Sequence, residues 1–135
     1  MRVILCIDYS PFTEKILATM QTLLHSCKDC EVSVIHIIEE TAFVAGTGFE
    51  TQLFEDLQTD GEQLKKLCQE YLGNGIDFIE EYGTPREKID EILAASNYDI
   101  LAIGSHSKNI LGSRVLGSVA KHLLTVGEKP VLVIP

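Results

Sequence analysis

The stretch Gly104–Leu124, GSHSKNILGSRVLGSVAKHLL, has the residue types of a phosphate-binding turn. It begins where an apolar run ends and leads into a helical pattern at Gly117. Glycines at 104 and 117 would let a backbone approach a ligand closely, and Ser118 offers a hydroxyl. Lys108 and Arg114 place cations in an otherwise acidic chain. A helix opening after Gly117 would add unpaired amides and a partial positive charge, which suit phosphate. Glycines that merely turn the chain give the same composition, so spacing alone leaves both readings open.

Other residues with chemical potential are weaker candidates. Asp8 and Ser10 sit where a hydrolase could place a nucleophile, but no G-x-S-x-G elbow surrounds them. No G-x-x-x-x-G-K-[ST] sequence occurs either. His25, Cys27 and Cys30 (HSCKDC) offer one ligand pair, where structural zinc usually needs four ligands. That pair falls at the end of a helical pattern, where the helix dipole opposes thiolate formation, so a simple helix-to-strand turn is expected. Four cysteines in a chain expected to be cytoplasmic argue against a disulfide framework, and Cys6 and Cys68 read as small core residues. His36, among apolar neighbours, reads as a hydrogen-bonded core histidine, and Tyr9 as a packing residue. For His106, a ligand-facing and a solvated role both stand.

The elements that must position these residues alternate regularly. Five apolar, β-branched runs occur at Arg2–Asp8, Glu31–Ile38, Ile76–Tyr82, Tyr98–Gly104 and Lys129–Ile134. The first, fourth and fifth are nearly continuous, as in strands covered on both faces. A first helix carries Phe12, Ile16, Leu17, Met20, Leu23, Leu24 and Cys27 on one stripe, with Ser10-Pro11 as its expected start. A second carries Leu53, Leu57, Leu64, Leu67, Cys68, Tyr71 and Leu72, interrupted by Gly61. Thr84-Pro85-Arg86-Glu87 predicts a capping box opening a third helix with Ile89, Ile92 and Leu93 inward. A fourth follows Gly117, with Val119, Ala120, Leu123 and Leu124 inward. Strands alternating with helices predict an α/β fold, a single doubly wound parallel sheet flanked by four helices. Such sheets bind ligands at the carboxyl ends of their strands. Glu39–Thr51 is expected to be a longer, mobile connection.

Length and charge narrow the partners. One domain spans residues 1–135. A formal charge of −9 disfavours nucleic acid and anionic membrane surfaces. The opening MRVILCIDYS has too short an apolar run for a signal peptide or a membrane span, so a cytoplasmic protein is expected.

Together these motifs resemble the universal stress protein family over the whole chain. Its ATP-binding members carry Gly, two residues, Gly, nine residues, then Gly with Ser or Thr. Gly104, Ser107, Gly117 and Ser118 occupy that frame. Asp8 ending the first strand, His36 in the second, Gly83-Thr84-Pro85 and the closing KPVLVIP also look like the family. The resemblance implies a five-stranded sheet in the order 3-2-1-4-5, Rossmann-like and of the adenine nucleotide alpha hydrolase-like kind. It implies that Asp8 and Ile37 contact adenosine and that Gly104, Gly117 and Ser118 hold ribose and phosphates, with Ile103, His106 and Val119 alongside. Ser107 departs from the motif, which has glycine there.

The expected function is therefore a regulatory, stress-response protein that binds ATP, with magnesium carried on the phosphates, and is not an enzyme. Any hydrolysis would be slow and incidental, since no positioned base or metal carboxylates stand out. Ser107 supports an alternative, a family member without nucleotide that acts as a protein-interaction module. The apolar final strand, Val131–Ile134, is an edge that invites pairing. The resemblance gives the same expectation, a homodimer through the last strands.

Overall fold

A computed structural model describes residues 1–39, 50–105 and 116–135. The elements alternate as β1 (Arg2–Cys6), α1 (Thr13–His25), β2 (Glu31–Glu39), α2 (Glu50–Leu72), β3 (Asp77–Gly83), α3 (Pro85–Ala95), β4 (Ile100–Gly104), α4 (Ser118–Val126) and β5 (Val131–Ile134). The five strands form one sheet in the order β3-β2-β1-β4-β5, and every pair is parallel. This is the doubly wound α/β sheet that the sequence predicts. Strand boundaries differ by one or two residues from the apolar runs, because a ladder ends where its partner ends.

The continuous apolar run of β1 is explained by its two faces. Val3 and Leu5, with Ile7 beyond the strand, join Ile16, Leu17, Met20, Leu64 and Cys68 in a core beneath α1 and α2. Ile4 and Cys6 join Ile89, Ala120 and Leu123 beneath α3 and α4. Leu5 and Leu17 are wholly buried, and burying a leucine contributes about 1.5–3 kcal/mol. On α1 Leu23 is 43% exposed, and on α4 Leu124 is 46% exposed, so neither faces inward as the spacing predicts.

Three local expectations give way to tertiary contacts. Ser10-Pro11 does not open α1, which begins at Thr13 with Phe12 as its N-cap. The Thr13 hydroxyl instead accepts from the Ser10 amide and donates to the Asp8 carbonyl, each at 2.8 Å, and so takes over the turn. Pro85 does occupy the first turn of α3, but Thr84 makes no side-chain capping bond. Helix α2 runs unbroken through Gly61, where a Cβ would strike the Glu80 carboxylate.

The turn from α1 to β2 carries a correction. Cys27 and Cys30 are joined by a disulfide, with Cα atoms 5.7 Å apart. The compartment argument had set such a bond aside, whereas the tight turn brings the two Cα atoms within bonding range. Cys6 and Cys68 are free and buried, as expected. Most of the connection from Glu39 to Thr51 lies outside the described residues. No described helix is long and apolar enough to cross a membrane.

Candidate functional site

The strand order reverses at β1, whose neighbours are β2 on one side and β4 on the other. A crevice opens at the carboxyl edge where successive connections leave in opposite directions. Strand register decides which residues reach that edge. Cys6 pairs with Ile35 on β2 and with Ile103 on β4. Asp8 and Ile37, each two residues further on, therefore stand level on neighbouring strands. Gly104 and Ser105 follow Ile103 on the other side.

The turn after β1 is fixed by its own hydroxyls. Thr13 is 1% exposed and clamps the Asp8 carbonyl to the Ser10 amide. The Ser10 hydroxyl accepts from the Phe12 amide at 3.2 Å. This clasp holds the half-buried Asp8 at the mouth of the crevice. Thr13 is the positioning residue that the sequence did not single out. Its signal was a threonine three residues after a serine in a turn, a pattern that competes with helix capping.

The end of β4 meets the start of α4 through the backbone. Ser105 donates its amide to the Ile134 carbonyl at 2.8 Å, extending the β4–β5 pairing. The Ser105 carbonyl accepts from the Gly117 amide at 3.2 Å. Gly117 is the N-cap of α4, extended at φ −61° and ψ 160°, with no side-chain cap. Its carbonyl accepts from the Lys121 amide, so the helical ladder starts there. The amides of Ser118 and Val119 fall in the first turn and have no intrahelical partner. They carry the positive end of the α4 dipole to the carboxyl edge of the sheet.

Of the residues the sequence nominates, the structure brings Asp8, Ile37, Ile103, Gly104, Gly117, Ser118 and Val119 to this edge. Ser118 is exposed, Val119 half-buried and Ile103 2% exposed. Ile103 thus packs beneath the crevice, in the α3 and α4 core. Gly104 has a structural reason as well: a Cβ there would lie 2.6 Å from Cδ1 of Ile16 on α1. His106, Ser107, Lys108 and Arg114 lie outside the described residues. A carboxylate, an apolar strand end and a helix N-terminus at one edge can hold a ligand with polar donors, an apolar body and an anionic group.

The imidazole–carboxylate pairs belong to the scaffold. His36, 4% exposed, bonds through Nδ1 to Oε2 of Glu80 at 3.0 Å and packs near Phe78. It ties β2 to β3 on the face that α1 and α2 cover. His122 Nε2 bonds to Asp90 at 2.8 Å and ties α4 to α3. Among the described residues, no cluster of three or more His, Cys, Asp or Glu side chains could hold a metal.

This arrangement has close relatives. The universal stress protein family model matches residues 1–135. Universal stress protein MJ0577 of Methanocaldococcus jannaschii is 31% identical over 121 residues, covering 83% of this chain and 74% of that protein. A solved structure of MJ0577 superposes with a TM-score of 0.77 at 28% identity, covering 98% of this chain and 94% of that one. The universal stress protein of Archaeoglobus fulgidus, solved in complex with dAMP, gives 0.64 at 16% identity, covering 100% and 98%. A universal stress protein solved with cAMP gives 0.67 at 13% identity, covering 99% and 95%. The match along the full sequence, over a sheet that reverses at β1, shows that the chain belongs to the universal stress protein family.

Proposed function

We propose that this protein is a regulatory adenine-nucleotide-binding protein of the stress response, taking ATP at the carboxyl edge of β1 and β4. One observation carries the reading. The Ser105–Gly117 hydrogen bond docks the uncapped start of α4 against the end of β4, beside the turn that holds Asp8. First-turn amides there would donate to phosphate oxygens, and Asp8 would accept hydrogen bonds from hydroxyl or amino groups of the adenosine. Magnesium would arrive on the phosphates, held by ATP rather than by a protein cage. The adenine mononucleotides carried by two family structures support the same ligand class.

The role proposed is sensing rather than turnover. Among the described residues, the imidazole–carboxylate pairs His36–Glu80 and His122–Asp90 tie elements of the scaffold together, which favours a structural over a catalytic role for both histidines. The working form proposed is a cytoplasmic homodimer through β5. Ser107 favours the second reading, an interaction module without nucleotide, because the family frame has glycine at that position.

Denaturing the purified protein and identifying released nucleotide by mass spectrometry tests the proposal. ATP is the expected product. Titration of ATP into the wild type and Ser107→Gly then separates the readings. The glycine variant is expected to bind more tightly, each tenfold corresponding to about 1.4 kcal/mol. Absence of nucleotide, together with no binding by either protein, establishes the interaction module instead.

A further inference from the structure

The Cys27–Cys30 disulfide stands apart from the nucleotide edge, at the opposite, amino-terminal end of the sheet. Its setting is a tight clasp. The Ser26 amide donates to the Leu23 carbonyl at 3.2 Å and the Cys27 amide to the Leu24 carbonyl at 3.1 Å, closing α1. Asp29, between the two cysteines, sits at φ 63°, a left-handed conformation that a non-glycine residue adopts at a cost. The Asp29 carbonyl accepts from the Met1 nitrogen at 2.8 Å. The Glu31 amide, next to Cys30, donates to the Met1 carbonyl at 2.9 Å. From there the β1–β2 register begins, Arg2 against Glu31.

Two features mark this bond as something other than a stabilising staple. The ring it closes spans a sequence separation of three, and short rings remove little entropy from the unfolded chain. Both cysteines are only half-buried, so a small thiol can reach them. The free cysteines, Cys6 and Cys68, are buried and their thiols pushed up to about 12 by burial, which makes them inert by comparison.

We propose that Cys27 and Cys30 form a reversible thiol–disulfide exchange site for a low-molecular-weight thiol and its disulfide, with the α1–β2 turn as the element it locks. In oxidation, one cysteine thiolate attacks a sulfur of the small disulfide, forming a mixed disulfide and expelling one small thiolate. The second cysteine then attacks the protein-side sulfur, forming Cys27–Cys30 and expelling the second small thiolate. Two electrons and two protons pass from the cysteine pair to the two small thiols, and reduction runs the same steps backwards. The negative end of the α1 dipole disfavours thiolate at Cys27, so exchange is slow and records the ambient thiol balance rather than turning over. Without the bond, the left-handed Asp29 turn loses its covalent restraint, and the clasp on the start of β1 loosens.

The test equilibrates the full-length protein in glutathione buffers from fully reduced to fully oxidised. Free thiols are then alkylated and located by mass spectrometry. Cys27 and Cys30 are expected to titrate together within that range, with Cys6 and Cys68 unmodified until the chain is denatured. A pair that stays oxidised, or stays reduced, across every ratio overturns the proposal. Hydrogen exchange supplies the second readout. Reduction is expected to speed exchange at the Cys27 and Glu31 amides several-fold while the β4 amides stay unchanged, and Cys27→Ser is expected to match the reduced form. Equal exchange in the oxidised and reduced proteins overturns the lock.

Discussion

At Gly104, packing and the proposed nucleotide site ask for the same residue. The Cδ1 methyl of Ile16 occupies the space a Cβ would need, 2.6 Å away, so α1 presses directly on the end of β4. Gly104→Ala is expected to destabilise the fold by about 1–3 kcal/mol through overpacking. Ile16→Val removes the obstructing methyl and alone is expected to cost about 0.5–1.5 kcal/mol. The double variant is expected to be more stable than the sum of the two losses predicts, because both act on one contact. Strict additivity in urea unfolding would remove the packing explanation. The glycine was legible in the sequence, but its partner was not, since Ile16 lies in a helix far along the chain. The buried thiols give a second residue-scale expectation. An unfolded cysteine titrates near ~8.5, whereas Cys6 and Cys68 are held up to about 12 by burial. Above the unfolded value only the unfolded chain releases those protons, so stability present below it falls as pH rises toward 12. Denaturant midpoints across that window check the slope, which Cys6→Ala and Cys68→Ala are expected to flatten.

Helix α2 and strands β2 and β3 are coupled through one glycine. Gly61 leaves room for the Glu80 carboxylate, which turns in to the buried His36. Gly61→Ala gains up to about 1 kcal/mol in helix propensity. It also pushes the flexible end of Glu80 away, leaving a buried imidazole unsatisfied at about 1–3 kcal/mol. The second term is larger, so net destabilisation is expected. With His36→Leu in place there is no imidazole to strand, and Gly61→Ala is expected to become stabilising. Thermal melts of the four proteins read the change of sign. At this scale the sequence spoke clearly about element type and poorly about ends. Apolar β-branched runs marked all five strands, and in β1 and β4 burial on both faces made those runs nearly continuous. The cap at Ser10 was misread because the Thr13 hydroxyl, bonded to the Ser10 amide and the Asp8 carbonyl, keeps that segment in a turn and α1 starts later, while the Thr84 side chain makes no capping bond. Glu80 was not singled out by the sequence pattern, and its register opposite His36 puts it on the covered face. The disulfide was missed because an argument from compartment stood in for the geometry of the turn.

Across the whole molecule, the two sheet edges differ in kind. Strand β3 carries Asp77, Glu80 and Glu81, charges that discourage edge pairing. Strand β5 reads VLVI, with Leu132 36% exposed. That contrast supports β5 as the seam of the proposed homodimer. Leu132→Lys is expected to shift the protein to monomer at micromolar concentration while leaving its melting within a few degrees. Sedimentation velocity measures the shift, and an unchanged coefficient would move the seam elsewhere. The strand ends and the helix start at this edge, with Gly104 and Gly117, were legible in hydrophobic pattern and glycine, whereas Asp8 and Ile37 were singled out only by the family resemblance. What the pattern could not supply was the tie between Ser105 and Gly117, a backbone bond that no side chain announces.

That tie has an evolutionary corollary. Because Ser105 and Gly117 are pinned together, the start of α4 is held by the end of the sheet. Closing a loop costs only about 0.6 kcal/mol more for each doubling of its length. A connection of different length between these two residues is therefore expected to leave the scaffold folded. A lineage could vary the sequence between these two anchors without having to rediscover how to fold.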